Sequence, residues 1–286
     1  MPRPPIDLAR KIKDILLHTE PLPDEAKSPI LHYGRTGTNI WNALNYVDKA
    51  LGSPGLYRGV GDRHLQQLYG MALVNLVEGF ERFLKEMAAE CVECLADLVA
   101  DDRLDVFQIK GGSLAYHFRA GTLGKSLCES STWLDIQEIN KRFRDLLSDP
   151  FKDGTFWLFP RKGQEPTDQR WRFDPLSIAF QLRNAAVHNV GVITHSDAGK
   201  LRLLAKESVQ GQRLLTPTNQ DLTYLKRFLD ETARVCNERV GKRLAELLTL
   251  IHAESPALLA PGVLANRVST AFQMVLNVAG IAGVVA

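Results

Sequence analysis

Apolar residues recur every three or four positions along most of this chain, which is the spacing of one face of an α-helix. The longest apolar stripe runs over residues 62–100, where Asp62 is the predicted N-cap, and a second long stripe runs over residues 216–251. Shorter helical patterns occupy residues 1–18, 38–51, 135–149 and 173–189. Residues 191–204 instead alternate and turn at Asp197-Ala198-Gly199, which predicts a hairpin. The fold class is therefore predominantly all-α, an antiparallel up-and-down helical bundle with a small β-hairpin insertion.

The same pattern divides the chain into three parts. Residues 1–61 are expected to be an N-terminal helical and loop extension, and residues 62–251 the helical bundle. Residues 252–286 are expected to form an apolar C-terminal helix. Gln273 and Asn277 interrupt its apolar run, so we expect it to pack on the bundle or against another subunit and not to cross a membrane.

Composition narrows the class of partner. Of the 286 residues 45% are hydrophobic and 24% charged, which is typical of a globular protein, and the net charge of +2 is low for a dedicated duplex binder. A nucleic-acid partner would need a local basic patch. No signal peptide is evident, so we expect a cytoplasmic protein with reduced thiols. Cys91 and Cys94 form a C-x2-C, but no second pair follows, so we expect no zinc site.

The segment QLRNAAVHNVG, residues 181–191, carries the most suggestive chemistry. Arg183 and His188 lie five residues apart, about 140° around a helix, yet the arginine is long and the helix is predicted to end near His188. Both side chains can therefore reach one point near the helix end. An arginine there would hold phosphate oxygens, and a histidine would move a proton near neutral pH. The alternative is that Arg183 forms a salt bridge and His188 caps the helix.

Other segments offer weaker candidates. Glu81, between Phe80 and Phe83, is the carboxylate expected to enter the bundle and orient a polar group. The segment RAGTLGKS (119–126) ends like a P-loop, but Arg119 stands where that motif requires glycine. Residues 156–173 are rich in aromatic and basic side chains, which suit either packing or stacking on RNA bases.

Two motifs resemble the HEPN superfamily. The Arg183-to-His188 segment, with four residues between them, resembles its Arg-to-His signature, in which Asn184 suits the position after the arginine. The ending His188-Asn189-Val190-Gly191 resembles the H-N-x-G of RNase-toxin-like branches. Upstream, VEGFERFLKE (77–86) resembles the F-E-x-F-L helix of the same branches. The resemblance covers residues 62–250, and about 20 positions carry it.

This resemblance implies a metal-independent endoribonuclease without a cofactor, active as a homodimer, in a toxin–antitoxin or antiviral defence system. It implies that Arg183 binds the scissile phosphate and His188 is general acid or base. Asn184 would orient either of them, with Glu81 and Asn189 in support. The partners implied are RNA, a second copy, and an antitoxin or defence-system protein. In the branch paired with nucleotidyltransferase antitoxins a tyrosine follows the histidine by two residues. Val190 stands there, so AMPylation is not expected.

Two other functions remain open on the sequence. The first is a non-catalytic HEPN-like helical module that binds RNA, a small ligand or a protein partner; buried and fully bonded Arg183 and His188 side chains would favour it. The second is nucleotide binding, which depends on GTLGKS (121–126) alone.

Overall fold

The structure is a computed structural model, and it describes residues 13, 15–19, 28–51, 58–95, 98, 107, 122–129, 133–151, 172–254 and 261–274. A 3₁₀ turn at Ile15–Leu17 is followed by the main elements. These are α1 (Pro29–Leu51), α2 (Arg58–Leu95), α3 (Leu123–Glu129), α4 (Ile136–Leu147), α5 (Phe173–His188), β1 (Val192–Ile193), α6 (His195–Ala205), β2 (Arg213–Leu214), α7 (Asn219–Glu254) and α8 (Pro261–Phe272).

The prediction of a mostly helical fold with a small antiparallel pair of strands is confirmed. β1 and β2 pair antiparallel, with Val192 opposite Leu214. Two details of the prediction are wrong. Helix α2 begins at Arg58, so Asp62 lies inside the helix and is not its N-cap. Residues 195–205, expected to be the turn and second strand of the hairpin, form α6, and the strand that pairs with β1 comes after this helix.

Local signals explain where the shorter helices begin. Asp135 caps α4 by accepting hydrogen bonds from the backbone N–H groups of Gln137 and Glu138. Thr194 and Asp197 form a reciprocal capping box at the start of α6, and this box overrides the alternating pattern of the segment. Helix α5 is different, because its first-turn carboxylate, Asp174, lies inside the helix, and Arg172 precedes the helix without a side-chain cap.

The core lies between α2 and α7, with α1, α5 and α8 packed around them. The apolar stripe of α2 is buried as its spacing predicts, and it stacks aromatic rings with its neighbours. The Phe80 ring lies 6.2 Å from Tyr33 of α1, 6.0 Å from Phe83 and 6.5 Å from Phe180 of α5. Burial of each such ring contributes about 1.5–3 kcal/mol. This cluster fixes α5, and therefore its C-terminal end, against α2.

The P-loop-like segment has a packing role in the described part of the chain. Gly124 lies in α3, and a Cβ there would overlap the carbonyl oxygen of Ala89, so only glycine lets α3 approach α2 this closely. The backbone N–H of Gly124 donates to the Glu93 carboxylate. A carboxylate therefore holds the N–H that a phosphate would need, which disfavours nucleotide binding at this segment.

The predicted C-terminal segment contains one described helix after residue 254. Helix α8 buries Ala265, Val268, Ala271 and Phe272 against the bundle, and residues 275–286 lie outside the described residues. Among the described helices, none is long and apolar enough to span a bilayer.

Candidate active site at the end of α5

The predicted site residues lie where α5 ends and the chain turns into β1. The N–H groups of Asn189 and Gly191 both donate to the carbonyl of Ala185, at 3.1 Å each, which closes the last turn of the helix. The turn needs the left-handed conformation at Val190 (φ 52°) and Gly191 (φ 80°). For a β-branched valine this conformation costs about 1–2 kcal/mol. Backbone strain is therefore stored two residues after His188.

Arg183 is anchored on the inner side of α5. Its Nη2 donates to Oε1 of Glu78 on α2 at 2.8 Å, and its Nη1 donates to Oδ1 of Asn184 at 3.2 Å. The arginine side chain is 15% exposed and that of Glu78 is 43% exposed. The buried Nε of Arg183 has no hydrogen-bond partner among the described residues. Arg183 thus forms the salt bridge of the alternative hypothesis, but it keeps an unused donor.

His188 has the opposite environment. It is the last residue of α5 and is exposed to solvent. Within the described part of the chain, no hydrogen bond or ion pair holds its imidazole. Internal contacts therefore hold the Arg183 side chain in place, but they do not hold the His188 side chain. An exposed imidazole without a partner is accessible to a ligand.

Asn189 supports the turn through Asp197, a buried residue of α6. Oδ2 of Asp197 accepts from Asn189 Nδ2 (3.0 Å), Thr194 N (3.0 Å) and Thr194 Oγ1 (2.7 Å), and its Oδ1 accepts from Gln181 Nε2 (2.7 Å). Burial alone would raise the pKa of Asp197. The hydrogen bonds from Thr194 and Asn189, with the nearby Lys200 charge, outweigh burial and lower that pKa. One carboxylate therefore ties both ends of the turn to α5.

Replacing Asp197 with alanine should lower the free energy of unfolding by about 2–4 kcal/mol, because it removes half of the capping box of α6 and leaves the Gln181 and Asn189 donors without their acceptor. Asp221 is a matched control, since it caps α7 with Thr218 in the same way but is exposed. Asp221→Ala should cost only about 1 kcal/mol. Urea denaturation of both variants measures the difference, and equal losses would contradict the role assigned to Asp197.

Low pH should weaken the hydrogen bonds that the Asp197 carboxylate accepts. Folding lowers the pKa of Asp197, so its contribution is fully present above the unfolded value of about 4 and is lost as the pH falls through the folded value. The difference in stability between wild type and Asp197→Ala should therefore shrink below about pH 4.

Two residues, Glu81 and Glu78, share the burial and the polar contact that were predicted for Glu81 alone. The Glu81 side chain is only 13% exposed, and its carboxylate pairs with Lys85 on the same helix at 3.2 Å. The carboxylate that contacts Arg183 belongs to Glu78, one turn earlier. Sequence reasoning missed Glu78 and Asp197 as parts of the site. The capping-box spacing of Thr194 and Asp197 was a usable signal, whereas nothing local marks Glu78.

The remaining candidates lie elsewhere. Cys91, Cys94, Cys128 and Cys236 are buried and form no disulfide among the described residues, and burial raises the pKa of the Cys236 thiol to about 12. No cluster of histidine, cysteine and carboxylate side chains suited to a metal occurs within the described ranges. Of the aromatic and basic segment 156–173, the described Arg172 is buried, where it bonds Thr232 at 2.9 Å and Glu231 at 2.9 Å. Arg172 therefore packs inward, while residues 156–171 lie outside the described residues.

Comparison with known proteins adds no relative. No family model, no curated protein and no solved structure matches this chain. The assignment of function therefore depends on the side chains of α5 and their neighbours.

Proposed function

We propose that this chain is a metal-independent endoribonuclease of HEPN type that acts in the cytoplasm as a toxin or phage-defence effector. The observation that carries the proposal is that α5 ends at an exposed, unpartnered imidazole, His188, five residues after a guanidinium, Arg183, that is anchored on Glu78. Asn184 holds that guanidinium from the next residue. A base and a fixed cation are what phosphodiester cleavage by an internal nucleophile requires.

The reaction is a transesterification followed by release of product. The His188 imidazole removes the proton of the RNA 2′-hydroxyl, and the 2′-oxygen forms a bond to phosphorus. The bond from phosphorus to the 5′-oxygen breaks, and a general acid protonates the leaving oxygen. Arg183 donates to the non-bridging oxygens, where negative charge develops. The products are a 2′,3′-cyclic phosphate and a 5′-hydroxyl, and DNA is not cut because it lacks the nucleophile.

A second copy of the chain would supply the general acid. Three apolar side chains close to His188 are exposed. Val187 (42% exposed) and Val190 (84%) are its near neighbours in sequence, and Leu214 (63%) lies beside the turn. Leu214 lies next to the turn, since its Cδ1 is 3.6 Å from a Cβ placed on Gly191. Exposed apolar groups in one place suit an interface. A two-fold contact there would bring two copies of His188 together, one as base and one as acid. An antitoxin or defence-system protein is the other partner that this surface would fit.

RNA cleavage in excess EDTA tests the proposal. The purified chain should cut single-stranded RNA, leave 2′,3′-cyclic phosphate and 5′-hydroxyl ends, and spare a substrate with a 2′-deoxy sugar at the cleavage position. Mass spectrometry of the products identifies the ends. Absence of cleavage, cleavage of the deoxy substrate at the same rate, or hydrolysis to 5′-phosphate ends would each contradict it.

A non-catalytic helical module is the second candidate, and the Glu78–Arg183 ion pair favours it. A guanidinium that is 85% removed from solvent and paired with a carboxylate is already satisfied in part without a ligand. An RNA-binding or protein-binding bundle would keep this pair for packing alone. Binding of RNA without cleavage by the wild-type chain would support this candidate.

A further inference from the structure

An open groove lies beside the candidate active site, between the start of α4, the outer face of α5 and α6. Its volume is about 460 Å³, which lies within the range of small-ligand sites. Apolar and polar side chains share its walls, among them Leu134, Phe173, Gln181, Asn184, Lys200 and Leu203. Leu203 is 82% exposed, so its apolar surface is open to a ligand.

The groove runs along α5 toward His188. Gln181, Asn184 and His188 are separated by three and four residues, so they lie within about 60° of one another around the helix. Gln181 and Asn184 line the groove, and His188 is next on the same face. A ligand that lies in the groove therefore has one end near the imidazole.

The chemistry of their partners orients the two amides. Arg183 can only donate, so the Asn184 atom that it contacts is the carbonyl oxygen, and the Asn184 NH₂ group is left to donate elsewhere. The Asp197 carboxylate can only accept, so Gln181 turns its NH₂ group to Asp197 and keeps its carbonyl oxygen for another donor. The groove is therefore lined by a fixed acceptor and a fixed donor one helical turn apart.

We propose that this groove binds one nucleobase of single-stranded RNA, the base next to the phosphate that is cut. The Gln181 oxygen accepts from the base edge, and the Asn184 NH₂ group donates to it. Leu134, Phe173 and Leu203 cover the apolar faces of the base, and the Lys200 ammonium contacts the backbone phosphate. This inference rests on the proposed ribonuclease function and adds to it the place where the substrate is read.

Asn184→Asp is the sharpest variant, because it has nearly the same shape and still accepts from Arg183. It replaces the donor by an acceptor, so the groove then presents two acceptors. Guanine offers two neighbouring donors, N1–H and N2–H, whereas adenine, cytosine and uracil do not. The variant should lose roughly tenfold in affinity for those three bases, while it keeps its affinity for guanine.

Fluorescence anisotropy measures this in a His188→Ala background, so that no probe is cut. The probes are decamers of A, of C and of U, and a decamer that alternates G and U. Asn42→Asp, at an exposed position of α1, is the control for the added negative charge. Retained binding of the alternating decamer with tenfold weaker binding of the other three supports the inference. An equal change for all four probes, or no change, would overturn it.

Lys200→Met separates phosphate binding from base reading. It should lower the affinity for all four probes by the same factor and reduce the slope of log affinity against log salt concentration by about 0.7. Lys242→Met, at an exposed position of α7, should leave that slope unchanged. Equal slopes for wild type and Lys200→Met would overturn the phosphate contact.

The binding result and the cleavage result remain distinguishable. If the wild-type chain cuts RNA but Asn184→Asp leaves base preference unchanged, only the groove inference fails. If the wild-type chain cuts no RNA, the proposed function fails, whatever the anisotropy shows.

Discussion

Replacing His188 with alanine should lower the rate of RNA cleavage by at least about 100-fold, because positioned proton transfer contributes 10²–10⁴-fold to such reactions. The fold should be unaffected. The imidazole is exposed, and among the described residues it holds no partner whose loss would cost stability. Cleavage rates in EDTA, with circular dichroism as the check on folding, measure both parts of the expectation.

Two controls make the His188 result specific. His64 is also an exposed histidine, on α2, so His64→Ala removes the same group without touching the site and should keep the wild-type rate. Because position 188 is open to solvent, added imidazole should partly restore cleavage by His188→Ala. Equal rates for His188→Ala and wild type, or a matching loss in His64→Ala, would contradict a catalytic role for His188.

Arg183→Met and Glu78→Gln should have different effects on activity, although both remove the same ion pair. The arginine variant should cut RNA about 100-fold more slowly, since it loses the cation that stabilises the developing charge on phosphate. Glu78→Gln keeps the guanidinium and removes a competing anion. It should therefore cut RNA at least as fast as wild type.

Stability separates this explanation from a structural one. Glu78 is 43% exposed and solvent screens the pair, so each variant should lose no more than about 1 kcal/mol. Urea denaturation measures that loss and cleavage assays measure the rates. Parallel losses of activity in the two variants would show that the ion pair matters only for the shape of the site, and that Arg183 does not act on phosphate.

The hydrophobic spacing predicted the helices correctly where the bundle buries the residues that this spacing selects. The stripe of α2 became the buried face next to Phe80 and Phe83, and α7 buries the residues that its spacing selects, such as Leu229 and Val240. The prediction failed where two local signals compete. Residues 195–205 alternate like a strand, but the capping box of Thr194 and Asp197 nucleates a helix, and helical hydrogen bonds then extend from that cap.

In the candidate site, too, some features depend on local spacing and others on tertiary contacts. The positions of Asn184 and His188 relative to each other depend only on the geometry of one helix, so the spacing of the sequence determined them. The sequence also marked the end of α5 through Gly191, although the left-handed conformation there begins one residue earlier, at Val190.

Only the tertiary structure decided what surrounds these residues. Arg183 pairs with Glu78 across 105 positions of the chain, and Asn189 is held by a buried carboxylate on another helix. The groove likewise needs three separate elements, α4, α5 and α6. The physical reason is the distance along the chain over which each kind of interaction acts. Backbone hydrogen bonding and side-chain spacing act within one or two turns, whereas burial, ion pairing and cavity shape depend on which helices pack together.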